Sequence, residues 1–119
     1  MQATERDAAY LWDMLNSART IQGFVNGMRF DDFLRDLKLQ LAIERSVEII
    51  GEASRRISDE FKQVHPEIPW KRIIAQRNVL IHEHDDVKQE RMWLVATVHI
   101  PALIPQLEAL LPPLPPDEE

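Results

Sequence analysis

An all-α fold, an up-and-down bundle of four to five helices, is predicted for this chain by three features of its sequence. All eight prolines lie at or beyond residue 66, and the front half holds only three glycines, Gly23, Gly27 and Gly51, that could loosen a long helix. Apolar residues recur at helical spacing, with no alternating strand pattern. No internal repeat and no glycine-rich phosphate loop is present, so nothing points to an α/β arrangement. The 119 residues suit one domain, here 1–111, followed by a flexible Pro-rich acidic tail, PPLPPDEE, over 112–119.

The first helix runs from about Thr4 to Gln22 on Ala8, Leu11, Trp12, Leu15 and Ala18, and stops near Gly23 to Gly27. The second opens at Asp31 or Asp32, either of which suits an N-cap. It continues on Phe33, Leu37, Leu41, Val47, Ile50 and Ile57 to about Phe61, a length that suggests a bend near Gly51. His65–Pro66 ends it. Pro69–Trp70 opens a third, because proline in the first turn gives up an N–H that has no helical partner there. It stops around His82 to Asp85. A fourth runs from Asp86 or Val87 to His99, where Pro101 breaks or restarts it, and a short last helix reaches Leu111. Trp12, Trp70 and Trp93 fall on apolar stripes and read as core residues, while His65 and His99 read as loop or cap residues.

Composition removes several functions. With no cysteine there is no thiolate zinc site, cysteine nucleophile or iron–sulfur cluster. The acidic N-terminal stretch lacks the form of a signal peptide, and apolar runs such as Val79–Leu80–Ile81 are far below a membrane span; a cytoplasmic protein without membrane contact is expected. A net charge of −6 opposes nucleic-acid binding over the whole surface. Between Glu52 and Arg77, however, six basic residues face four acidic ones, and Arg55, Arg56, Lys71 and Arg72 are candidate RNA contacts within that local patch.

The densest reactive cluster is Arg77-Asn78-Val79-Leu80-Ile81-His82-Glu83-His84-Asp85-Asp86. On a helix Asn78 and His82 lie one above the other, whereas Arg77 and His82 are about 140° apart round the axis. Arg77 must then reach sideways, or the helix end must loosen, or the Arg and His of two chains must face each other across a symmetric dimer. A neutral imidazole can move a proton at a ribose 2′-hydroxyl or a leaving oxygen, and a guanidinium can hold the phosphate whose charge grows in the transition state. Asn78 would orient the phosphate or the imidazole. Together they would cleave RNA through its 2′-oxygen, giving a cyclic phosphate and sparing DNA, with no cofactor or metal. A plain solvated helix end has the same spacing. A metal reading of the His-rich run fails while the segment is helical, since His82 and His84 are then about 200° apart.

Three segments in order, Ile49-Ile50-Gly51-Glu52-Ala53, then Phe61 to Trp70 with His65-Pro66-Glu67-Ile68-Pro69-Trp70, then Arg77-Asn78-Val79-Leu80-Ile81-His82-Glu83, resemble the HepT-like branch of the HEPN superfamily over roughly residues 30–105. The resemblance implies an all-helical homodimer acting as a metal-independent ribonuclease toxin, with Arg77, His82 and Asn78 from both protomers lining an interface cleft. It also implies neutralisation by a nucleotidyltransferase antitoxin that modifies a motif tyrosine. Here His84 occupies the corresponding position, and the single tyrosine, Tyr10, lies outside the motif. That departure sustains an alternative: a non-catalytic helical partner of a nucleotidyltransferase.

Overall fold

The computed structural model describes residues 3–83, 85 and 87–111. Both the predicted tail at 112–119 and His84 lie outside the described residues. Helix α1 spans Glu5–Val25, α2 Phe30–Leu34, α3 Leu37–Arg56, α4 Asp59–Val64 and α5 Trp70–His82; α6 (Gln89–Leu94) runs through a π-helical turn, Val95–His99, into α7 (Ile100–Leu110). No strand occurs among the described residues, so the all-α expectation holds.

The predicted second helix is instead three helices, and its breaks are capped rather than bent. The Asp36 side chain accepts from the Leu39 N–H at 2.9 Å and opens α3. Ser58 accepts from the Phe61 N–H at 3.2 Å and opens α4. Such caps satisfy donors that have no partner within the helix, which makes a new start as favourable as continuation. Gly51, expected at a bend, lies inside α3 and has a different purpose, described below.

Pro101 does not break the fourth helix either. Its ring would crowd the carbonyl four residues earlier in a regular α-helix, and the wider π-turn immediately before it relieves that clash, so one rod runs over Gln89–Leu110. The charges of this rod sit near its ends, which makes it long and apolar enough to span a bilayer by length and composition. Counting uninterrupted apolar runs missed this. One stripe of the rod, including Val95, Ala96, Leu103 and Leu107, is buried in the bundle core.

The core is filled by Leu11, Met14, Leu15, Ile21, Phe33, Ile43, Ile57 and Phe61, all at most 2% exposed. Trp70 is buried, and Trp12 and Trp93 pack partly buried against the core, Trp93 with its ring centroid 5.3 Å from that of Phe33. The HPEIPW segment is a structural clasp. The Trp70 indole N–H donates to the His65 carbonyl at 2.9 Å, Ile68 is buried, and the His65 ring lies 4.5 Å from Phe61. This clasp fixes where α5 begins and hence where its motif faces.

Candidate active site at the α3–α5 seam

The site grows from a close helix crossing. A Cβ built on Gly51 would lie 2.2 Å from the Arg77 Cβ, a separation no side chain tolerates, so only glycine lets α3 and α5 approach at this point. Ile50 and Ala53 on either side are core residues, and Glu52 emerges at the edge of the seam. The Ile-Gly-Glu-Ala run is therefore an anchor, a gap, an ion-pair partner and a second anchor.

Glu52 collects guanidinium groups. One carboxylate oxygen accepts from Arg56 Nε at 2.9 Å; the other accepts from Arg55 Nη1 at 3.3 Å and pairs with Arg77 Nη2 at 3.0 Å. The hydrogen bond from Arg56, then the charges of Arg77 and Arg55, hold the Glu52 carboxyl below the usual carboxylate range against the opposing effect of burial. Arg77 itself is held at both ends of its fork. Nη1 donates to the Asn78 side-chain oxygen at 2.9 Å, Nη2 meets Glu52, and its side chain is only 16% exposed. The buried Nε has no partner.

Asn78 thus orients the arginine, while His82 stands exposed at the last turn of α5. The helix stays regular to His82, so the loosening that would bring the pair together does not occur. No hydrogen bond or ion pair joins Arg77 to His82, as five residues of helix place them roughly 140° apart. Of the candidate RNA contacts, Arg55 and Arg56 join Arg77 through Glu52, whereas Lys71 and Arg72 do not; Arg72 turns to the far side of α5. Among the described residues, no group of three or more His, Asp or Glu could hold a metal ion.

That far side carries an open apolar groove of about 550 Å³ between α5 and α6, walled by Val79, Leu80, Met92 and Val95 and edged by Arg72 and His99. Leu94, about half exposed, also lines it, and Val98 on the same rod is 52% exposed. His99 closes the π-turn and occupies the N-cap position of α7, without a capping side-chain hydrogen bond and within a continuous rod rather than a loop; burial, and then the charge of Arg72, lower its pKa and favour the neutral ring. Sequence reasoning missed Glu52 as the partner of Arg77. The local signal was its spacing to Arg55 and Arg56, but the link to α5 is tertiary.

The model for Ribonuclease HepT-like proteins matches residues 14–110. The chain is 39% identical over 110 residues to "Probable ribonuclease HepT" of Thermococcus cleftensis, covering 92% of this chain and 98% of that protein. It is 36% identical over 103 residues to MJ0127 of Methanocaldococcus jannaschii and 37% identical over 102 residues to TTE0752 of Caldanaerobacter subterraneus subsp. tengcongensis, both provisionally named RNases; these matches cover 87% and 86% of this chain and 85% and 91% of those proteins. No solved structure matches the chain significantly. A family match over residues 14–110 and a relative 39% identical over nearly the whole of both chains have one meaning: the chain belongs to the HepT-like ribonuclease family.

Proposed function

We propose that the chain is a metal-independent endoribonuclease toxin that works as a homodimer. The single observation that carries this reading is the Arg77 fork, held by Glu52 and Asn78 at the edge of a seam one helical turn and a half from an exposed His82. A guanidinium has more N–H donors than those two contacts engage, and the remainder suit a phosphate oxygen. The imidazole is exposed, where it can reach a ribose hydroxyl and exchange a proton with it.

Because one chain holds the two groups apart, a second chain completes the site. The apolar groove beside α5, with Leu94 and Val98 exposed next to it, supports a two-fold contact that faces one motif with the other. One His82 takes the proton of the ribose 2′-hydroxyl as the 2′-oxygen bonds to phosphorus. The bond from phosphorus to the 5′-oxygen breaks, and the second His82 gives that oxygen its proton, leaving a cyclic 2′,3′-phosphate and a 5′-hydroxyl end. Arg77 stabilises the charge that builds on the phosphoryl oxygens.

A nucleotidyltransferase antitoxin is the proposed neutralising partner in the cytoplasm. With His84 in place of a tyrosine, neutralisation works by binding alone or through another residue, or this member has lost that control. The second reading, a non-catalytic docking partner of such a transferase, is favoured by one observation, the internal engagement of both ends of the Arg77 fork. Cleavage of RNA by the purified protein in EDTA, with 2′,3′-cyclic phosphate ends and a loss of roughly 10²–10⁴-fold in His82→Ala at unchanged helicity, is the expected result. Undiminished cleavage by that variant sinks the assignment, and no cleavage by the unaltered protein leaves the docking reading.

A further inference from the structure

A second polar recess lies across α3 from the motif helix. It measures about 260 Å³ and is lined by Tyr10 and Asp13 of α1 and by Arg45, Ile49, Glu52 and Arg56 of α3. Its position is fixed by a buried clasp at the start of α1. Asp7 accepts from the Ser58 N–H at 2.9 Å and from the Ser58 hydroxyl at 2.7 Å, which sets the register of α1 against the end of α3 and brings Tyr10, one turn later, beside Arg56.

We propose that Tyr10, with Arg6 and Arg56, forms a subsite for the nucleotide next to the cleaved linkage, its ring stacking on one base and the two guanidinium groups holding the adjoining phosphate. This rests on the ribonuclease reading and deepens it. Continuity with the catalytic seam is direct: Arg56 and Arg77 sit on the two oxygens of one carboxylate, so a strand whose phosphate meets Arg77 passes Arg56 next. Charge favours such a path, since Arg55, Arg56 and Arg77 converge on Glu52 and Arg6 stands over the Tyr10 ring next to them.

The Arg6 guanidinium carbon stands 6.0 Å from the centre of the Tyr10 ring, and that ring is partly exposed although its base packs on the core. Aromatic rings flanked by arginine suit unpaired bases, because every base offers a flat face and the cations meet the backbone. Side-chain hydrogen bonds from Arg6 first and Arg56 second lower the pKa of the phenol, so both guanidinium groups reach the ring's hydroxyl.

The test uses the full chain carrying His82→Ala, which separates binding from cutting, and a fluorescent single-stranded RNA. Tyr10→Ala should weaken binding by roughly tenfold or more, Tyr10→Phe should bind like its parent, and Arg6→Ala should weaken binding and flatten its salt dependence. Photocross-linking of iodouridine RNA to the protein with Tyr10 intact should label the α1 peptide containing Tyr10, a readout that does not depend on a variant folding. Binding within twofold in a folded Tyr10→Ala, or cross-links confined to other helices, overturns the subsite. If those results stand while the chain with His82 intact still cuts RNA, the ribonuclease reading survives; if the unaltered protein neither binds nor cuts RNA, both fall.

Discussion

Helix α5 has two unlike flanks. Toward α3 it closes completely: Gly51 admits the Arg77 stem at contact distance, and Glu52 and Asn78 fix the guanidinium. Toward α6 it stays open, with an apolar groove of about 550 Å³ and Leu94 and Val98 in water. One flank is finished by a single chain, and exposing the other costs solvation that a second chain would recover. The difference places positioning of the arginine within the protomer and leaves the open flank as the face on which the proposed dimer would form.

The sharpest way to break this comparison is to charge the open flank. If the proposed dimer forms, Leu94→Asp with Val98→Asp should convert it to a monomer in sedimentation and cut RNA cleavage as deeply as loss of the imidazole, about 10²–10⁴-fold, while helicity is unchanged. Full activity in a proven monomer would show that one chain suffices. Next comes the closed flank. Gly51→Ala forces the stem of Arg77 away from α3 and should lower the unfolding free energy by about 1–3 kcal/mol in urea titration, with loss of cleavage. Gly23→Ala in α1 meets nothing within 4 Å and should instead gain roughly 0.5–1 kcal/mol, which separates crowding at the seam from general helix propensity.

The smallest effect concerns pH. The folded chain holds His99 neutral through burial and then Arg72, so the unfolded chain binds the extra proton first as pH falls below about 6.5. Stability should be fully present above that value and decline as the solution is acidified through the window down to the lowered pKa. His99→Gln should show a shallower decline between pH 7.5 and 5.5 in the same unfolding titration. Equal slopes would mean that the π-turn histidine has no part in the acid response.

The two flanks were also unequally legible. Periodicity and proline placement were enough for the all-α class, for the entry at Pro69–Trp70 and for the three tryptophans as core residues, since these depend on side-chain spacing along one helix. Helix ends were less legible. The caps at Asp36 and Ser58 compete with continuation by a margin that a local pattern of apolar residues does not register, and the rod through Pro101 survives because a π-turn absorbs a clash that the proline alone foretells as a break.

What the sequence alone determined was the bundle, the motif on α5 and the inventory of groups able to move a proton or hold a phosphate, because each is a property of residue type and helical angle. Only the tertiary structure decided that Arg77 turns to Glu52 and away from His82, that Gly51 is a gap rather than a bend, and that Tyr10 stands at the end of the same chain of arginines. Those outcomes depend on how closely separate helices approach, and that distance is set by the packing of the whole core and by no single stretch of chain.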